Sequence, residues 1–383
     1  GHGLDLSGAV KTIILSGSGT PFVQSGSLSI NNNSTIRYTG TSATNIAGGT
    51  YGNLEIKPGA DSITHTLSNT LGTIGGNLTI GDGSHTGVIV TAATNDPIVD
   101  VNGNVTIAAS TTFIASDTQD MTAGGSWTNS GTFTHNSRTV TFDAGATGKT
   151  ITTNGTNGRF YDVTFNNAAG GWQLQDNPSI THVLTITAGN LDASSRTIFL
   201  EGSGTPFVNN GTFTQGTSTV HYDGASATNI AALNGASTTN AYYNLSVGDI
   251  VDSNSVTYTL LGNTTVNNQV RVSHASATGT DTFALSSYTL TLKGSTTPLD
   301  IVSGKGALSA GTSTVQYTSG SGTTALSSIA MTLKRKNQKS FAASLASINN
   351  LAQVQRPVIS PTSHPRFSRV PSPRPRASST SGM

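Results

Sequence analysis

The chain has 383 residues, no cysteine, 44 glycines and a formal net charge of +1. Without cysteine, disulfides and cysteine-ligated zinc are excluded, and no apolar run reaches the length of about 18 residues that a membrane-spanning helix needs. Residues 1–330 carry 18 acidic and 10 basic residues, whereas residues 331–383 carry 9 basic residues and no acidic one. Because the body is mildly acidic, it lacks the clustered cations that bind phosphate backbones, and nucleic acid is not an expected partner.

The composition predicts an all-β fold. Glutamate, a good helix former, occurs only twice, whereas threonine and other residues that suit a pleated surface alternate with turn formers. The chain starts at Gly1 in the middle of this pattern and without a signal peptide. This start favours a mature product or a fragment of a longer chain over a cytosolic origin.

The segment "GSGTPFV" occurs at residues 17–23 and again at 202–208. Its glycines relax the backbone and its proline sets one φ angle, after which Phe22 and Val23 are expected to return to the core. A strand-like segment follows each copy, without the lysine of a phosphate-binding loop. We therefore interpret the segment as a corner of a repeating fold.

Further repeats follow in chain order. Four segments share an alternation of polar and apolar residues that ends in an aromatic residue, and they are "STIRYTG" (34–40), "SRTVTFDAG" (137–145), "STVHYDG" (218–224) and "STVQYTSG" (313–320). Period-two alternation predicts strands in which Val220 and Tyr222 face a core while Thr219 and His221 face solvent. "SATNIA" occurs at 42–47 and 226–231. The repeating unit spans roughly 80–105 residues and occurs about three and a half times.

A finer period lies within the first unit. Leu28, Leu54, Leu78 and Val105 each lie in a short alternating block, at spacings of 26, 24 and 27 residues. "GNLTI" and "GNVTI" repeat at the last of these spacings, and later spacings are less even. The pattern predicts a solenoid, and a parallel β-helix with coils of about 25 residues fits it best.

The alternative is a string of β-sandwich domains, because a unit near 95 residues also matches an immunoglobulin-like domain. Such domains are expected to show linkers and one core aromatic residue per unit. Trp127 and Trp172 do not recur with the unit, and no linker precedes residue 330. The β-helix is therefore favoured.

No residue is assigned a catalytic, cofactor-binding or metal-binding role. The eight histidines are scattered without a close pair at ligand spacing. Asp96 with Asp100, and Asp117 with Asp120, could act as acid and base on a polysaccharide or bind Ca²⁺, but turn capping is the favoured interpretation. No cofactor is expected.

Aromatic residues recur in two strand positions. The first position holds Tyr38, Phe142, Tyr222 and Tyr317, and the second holds Tyr51, Tyr161 and Tyr242 or Tyr243. Packing inside the coil is the favoured interpretation, and an exposed ladder that faces a ligand is the alternative. Threonine pairs such as Thr185 and Thr187 are a feature of ice-binding surfaces, but their spacing here is too irregular to favour that function.

Residues 331–383 form a basic segment rich in proline and serine. Three hypotheses are open: a disordered linker, an anchoring extension, or a reading-frame error within a longer repeat gene.

The body, residues 1–330, resembles bacterial secreted β-strand-repeat proteins, the class of autotransporter passengers and filamentous-haemagglutinin-like adhesins. "GSGTPFV", "SATNIA", "GNLTI" and "STVHYDG" carry the resemblance. It implies an extracellular or cell-surface location and a structural or adhesive role, with surface glycans or other cell-surface proteins as partners, and it provides no catalytic residue. The expectation is a non-enzyme that does not span a membrane, and the alternative is a polysaccharide-binding or polysaccharide-cleaving β-helix.

Overall fold

The computed structural model describes residues 4–6, 8–23, 28–31, 33–235, 238–249, 254–275, 278–318, 331–335 and 341–343. Almost all regular structure within these ranges is β-strand, and the strands stack in parallel into a β-solenoid of about 13 turns. The all-β prediction and the predicted solenoid are confirmed. A single short 3₁₀ turn, Gly155–Gly158, is the helical element of the described residues.

The N-terminal half holds short strands, in chain order β1 (Leu4–Leu6), β2 (Thr12–Leu15), β3 (Leu28–Ile30), β4 (Thr35–Tyr38), β5 (Thr44–Ile46), β6 (Gly49–Tyr51), β7 (Asn53–Ile56), β8 (Thr64–Leu67), β9 (Leu71–Ile74), β10 (Leu78–Ile80), β11 (Val88–Thr91), β12 (Val99–Val101), β13 (Val105–Ile107), β14 (Thr111–Ile114), β15 (Met121–Ala123), β16 (Trp127–Asn129), β17 (Thr132–Thr134), β18 (Thr139–Phe142) and β19 (Lys149–Thr152).

The remaining strands include two long ones, and in chain order they are β20 (Phe160–Leu174), β21 (Ser179–Asp192), β22 (Thr197–Leu200), β23 (Phe207–Asn209), β24 (Thr212–Thr214), β25 (Thr219–Tyr222), β26 (Thr228–Ile230), β27 (Tyr242–Val247), β28 (Thr257–Leu260), β29 (Thr264–Val272), β30 (Asp281–Ala284), β31 (Thr289–Leu292), β32 (Leu299–Ile301), β33 (Gly306–Ser309), β34 (Thr314–Tyr317), β35 (Met331–Arg335) and β36 (Phe341–Ala343).

Each turn of the N-terminal half contributes strands to three ladders. β6, β9, β12, β15 and β18 form one ladder, and β2, β4, β7, β10, β13, β16 and β19 form the second. β5, β8, β11, β14 and β17 form the third, a separate sheet. The long strand β20 pairs with both β18 and β19, so the first two ladders join in one sheet there.

Apart from the antiparallel pair β35–β36, the strand pairs of the described residues are parallel and join segments about one coil apart. Parallel pairing at this separation excludes tandem sandwiches over the described solenoid, because sandwich sheets pair antiparallel. Ile36 pairs with Leu54, Leu54 with Leu78 and Leu78 with Val105. The predicted ladder was wrong at Leu28, which pairs with Leu4 in a different ladder.

Alternation places the apolar side chains inside the coil, as predicted. In β25, Val220 and Tyr222 are buried while Thr219 and His221 are partly exposed. In the middle turns the core is aromatic, with Trp127 lying 5.1 Å from Phe133 and 5.5 Å from Phe160 between ring centroids. This continuous core holds the turns together, since one turn alone cannot bury its apolar side.

The predicted basic tail falls mostly outside the described residues, apart from the backbone of β35 and β36. The hypotheses about that segment therefore stay predictions. Among the described residues, no helix has the length and apolar character needed to cross a membrane.

Candidate functional site

The two copies of "GSGTPFV" form corners of the solenoid, and each copy is contacted by "SATNIA" from the next turn. Gly19 pairs with Thr44, and Gly204 pairs with Thr228. Both glycines have positive φ angles, +74° and +75°, which a residue with a side chain adopts at a cost. "GSGTPFV" and "SATNIA" pair with each other in both units, which explains why the two motifs recur together in the sequence.

The return of this corner to the core was predicted only in part. Phe207, in the second copy, is buried, and Phe22 packs partly against the core. Val23 is 74% exposed, so the expectation that it points inward was wrong.

Recurrent tyrosines close a ring of hydrogen bonds around one alanine of each "SATNIA" segment. The Ala231 N–H donates to the Tyr222 hydroxyl over 3.0 Å, and the Tyr242 hydroxyl donates to the Ala231 carbonyl over 2.9 Å. The two hydroxyl oxygens lie 2.7 Å apart. Since the Tyr242 proton is used on the carbonyl, Tyr222 donates to Tyr242. Burial raises the pKa of both tyrosines, so both stay protonated donors.

The first unit repeats this arrangement with Tyr38, Tyr51 and Ala47. In the middle unit the corresponding rings are Phe142 and Phe160, whose centroids lie 6.0 Å apart. The middle unit thus lacks both tyrosine hydroxyls, as expected if each hydroxyl is a hydrogen-bond partner of the other. These buried positions confirm packing as the role of the recurrent aromatic residues that occupy them.

Asparagines of the "GN" motifs form a second recurring set of hydrogen bonds, at a corner of the second ladder. The Asn53 Oδ1 accepts the backbone N–H of Asn77, Asn77 does the same for Asn104, and Asn104 for Ser126, each over 2.8 Å. The amides satisfy backbone donors at a corner where the strand ladder is interrupted. These motifs are therefore structural.

The paired aspartates also act as caps. Asp96 accepts the Ser116 hydroxyl and the Asp117 N–H, both over 2.7 Å. Asp120 accepts the Thr139 N–H over 2.9 Å, and Asp100 accepts threonine hydroxyls from the turns on either side. The hydrogen bonds of these three aspartates therefore cap turns or join neighbouring turns. Within the described residues, no group of three or more acidic or histidine side chains is arranged to hold a metal ion.

One buried pair was not predicted. His274 and Asp281 are fully buried, and the His274 Nδ1 lies 3.0 Å from a carboxylate oxygen of Asp281. The same carboxylate accepts the N–H groups of Asp249 and Val256, and the other ring nitrogen lies 3.0 Å from the Thr278 carbonyl. The pair thus ties together the segments on either side of β28, which is a structural role.

Tyr161 was assigned to the wrong set of tyrosines. Phe160 occupies the buried position, and Tyr161, one residue later, lies on the outer face between two histidines of neighbouring turns, stacked on one and tilted against the other. The ring of His182 lies 4.6 Å from that of Tyr161 at an interplanar angle of 14°, and the ring of His135 lies 5.6 Å away at 36°. We call His135, Tyr161 and His182 the ring stack. Of the recurrent tyrosines, Tyr161 contributes to this stack, whereas Tyr38, Tyr51, Tyr222 and Tyr242 are buried, so the predicted alternative of an exposed ladder of recurrent tyrosines does not hold for these four.

Charged side chains border the ring stack. The Asp162 carboxylate lies 2.7 Å from the Nδ1 of His182, and the Glu201 carboxylate lies 3.4 Å from the Arg159 guanidinium. Burial, followed by the positive charge of Arg159, lowers the pKa of His135. Since aromatic faces, two carboxylates and a guanidinium meet here, the site can offer both stacking and hydrogen bonds to a ligand.

The cavity inside the middle turns of the described solenoid is small. A cavity of about 10 Å³ lies between Ile151, Phe160 and Leu191, and such a volume holds at most one water molecule. The ring stack on the outer face is therefore the candidate functional site. Comparisons of the chain with protein-family models, curated proteins and solved structures give no match.

Proposed function

We propose that the chain is an extracellular or cell-surface structural or adhesive protein, of the bacterial secreted β-strand-repeat class, and that it acts through its long outer face. One observation carries the proposal: about 13 turns, at ~4.8 Å between neighbouring strands, make a rod roughly 60 Å long. Such a rod presents many side chains in parallel rows, and weak contacts summed along a row give avidity.

The outer rows are polar, which suits a long contact with a hydrated surface. Thr122, Thr141, Thr164 and Thr185 follow one another in register on consecutive turns. Because the apolar side chains fill the coil interior, the outer residues are free to vary without loss of the core. This separation supports a rod whose outer face carries the binding function.

A second candidate, polysaccharide binding, is favoured by the ring stack, because exposed rings beside carboxylates are chemically suited to sugars. The acidic residues named above as caps are used in the structure, which gives less support to polysaccharide cleavage. Binding and adhesion are compatible, since a surface glycan can be the ligand of an adhesive rod.

The test is adhesion by the full chain. Beads coated with the folded protein should be retained on bacterial or host-cell layers more than beads coated with the heat-denatured chain, because only the folded rod presents the rows. A parallel screen for release of reducing sugar from plant, fungal and bacterial polysaccharides tests the enzymatic alternative. Equal retention of both bead types refutes adhesion, and release of sugar refutes a purely adhesive protein.

A further inference from the structure

The ring stack has an open end at His182. In the following turn, the residue against His182 is Gly202, whose Cα lies so near that a Cβ built there would come within 2.0 Å of the His182 carbonyl oxygen. Glycine adds no ring to the stack. Within the described residues, Tyr161 is the ring partner of His182, and the stack therefore ends there.

The exposed part of His182 can be identified from its contacts. Its side chain is 47% exposed, although Tyr161 covers one face of the ring and Asp162 contacts the Nδ1 edge. Within the described residues, these are the contacts of the ring, and they leave the opposite face and the Nε2 edge as the parts that can be exposed. Gly202, which lies against the His182 backbone, leads into a corner at Ser203 and Gly204 that is exposed, and a Cβ built on Gly204 would meet no atom within 4 Å. A flat group therefore has room to lie on the open face.

We propose that this open end binds one sugar ring of a neutral polysaccharide, which takes the place of the next ring in the stack. This inference rests on the proposed adhesive function and names the ligand class of its candidate site. The apolar face of a pyranose lies on the imidazole, and its hydroxyls reach the Nε2 edge of His182 and the neighbouring Asp162, Glu201 and Arg159 groups.

Two features favour a sugar over other flat ligands. Asp162 and Glu201 are 27% and 23% exposed, and a purely apolar ring placed beside them would desolvate the carboxylates without replacing their hydrogen bonds. Sugar hydroxyls donate to carboxylates and so replace those bonds. A nucleotide would bring phosphate toward a body with 18 acidic and 10 basic residues, which repels it.

His182 is the platform of this site, and Asp162 is a positioning residue. The carboxylate of Asp162 accepts the backbone N–H of Val183 over 2.9 Å in addition to its contact with the imidazole. It therefore orients the ring from a fixed point of the strand. Loss of this carboxylate is expected to weaken binding less than loss of the ring itself.

The experiment is affinity electrophoresis of the full chain in gels that contain hydroxyethylcellulose, with polygalacturonate and adenosine monophosphate as comparison probes. Hydroxyethylcellulose is expected to retard the wild type at both low and high salt. His182→Ala should weaken retardation roughly tenfold, since one stacked ring is lost, and Tyr161→Ala combined with His182→Ala should abolish it. His182→Phe should retain binding, because it keeps a flat face.

The matched control is His85→Ala. His85 is also a partly exposed histidine paired with an aspartate, since its Nδ1 lies 2.8 Å from the Asp82 carboxylate, but it has no ring neighbour in the described structure. This variant should migrate as the wild type does. Circular dichroism and thermal melting of every variant separate lost binding from lost folding.

Several results would overturn the inference. Unchanged retardation of the folded double variant would show that the ring stack is not the site. Retardation by polygalacturonate alone, abolished by salt, would show simple charge attraction, and preferential binding of adenosine monophosphate would show a different ligand class. If no polysaccharide retards the wild type while coated beads still adhere to cells, the inference fails and the proposed function stands. If the beads do not adhere, the proposed function itself fails.

Discussion

The hydrogen-bonded ring around Ala231 allows a sharp test of how the repeats hold their turns together. Tyr222 accepts the Ala231 N–H and donates to Tyr242, and both tyrosines are fully buried. In Tyr222→Phe the side chain keeps its volume, but the Ala231 N–H loses its acceptor inside the protein. A buried donor without a partner costs about 1–3 kcal/mol.

The variant Tyr242→Phe is the informative comparison. It removes the donor to the Ala231 carbonyl but leaves the Ala231 N–H bonded to Tyr222. A carbonyl that loses a side-chain donor is easier to accommodate than a buried N–H without an acceptor. We therefore expect Tyr222→Phe to destabilise the hydrogen bonding of the Ala231 amide more than Tyr242→Phe does.

Hydrogen exchange is the appropriate measurement, because it reports the opening of the Ala231 amide itself in a long solenoid whose turns can open separately. Loss of about 1–3 kcal/mol should speed exchange of the Ala231 amide roughly 5- to 150-fold in Tyr222→Phe. Tyr242→Phe should speed it less. Tyr243→Phe, at the half-buried neighbouring position, is the control and should leave the rate unchanged.

Equal exchange of Ala231 in wild type and Tyr222→Phe would refute the reasoning, since the hydroxyl would then contribute nothing to the amide. Faster exchange in Tyr242→Phe than in Tyr222→Phe would refute the assigned direction of the hydrogen bonds.

Three further expectations concern stability. Burial lowers the pKa of His65, so the unfolded chain binds more protons below about pH 6.5. The free energy of unfolding should therefore fall as pH drops through that range, and denaturant titrations of His65→Val should show a flatter dependence. Asn104→Ala removes the acceptor of the Ser126 N–H and should cost about 0.5–1.5 kcal/mol, measured by exchange of that amide, whereas Asn104→Asp keeps an acceptor and should cost less. Trp127→Ala should cost about 3–5 kcal/mol in denaturant unfolding, and a loss below ~1 kcal/mol would contradict the packing described for its buried indole.

Much of the fold could be predicted because short stretches of the sequence contain the information that specifies it. Alternation in "STVHYDG" predicted which side chains of β25 face the core, and spacing predicted that Leu54, Leu78 and Val105 lie in one ladder. Both signals follow from the two-residue period of a strand and from the need to bury one face. Neither depends on knowing the neighbouring turn in detail.

The failures came where a shift of one residue or one turn decides the outcome. Tyr161 was aligned with Tyr51, but the buried equivalent is Phe160, and this single step reverses which face a side chain takes. Leu28 matched the spacing of the ladder, yet Ile36 fills that position. Short alternating segments look alike in sequence, so spacing alone selects the wrong one when a turn contains several.

The amino-acid sequence by itself determined the class of fold, the approximate coil length and the inward or outward direction of most strand residues, because each strand encodes these in its own alternation. Only the tertiary structure decided that His135, Tyr161 and His182 meet, since they come from three turns and the register beside β20 is interrupted by irregularities. In the parallel strand pairs, paired residues lie from 18 to 30 positions apart along the chain. Which side chains become neighbours therefore depends on the length of every corner between them.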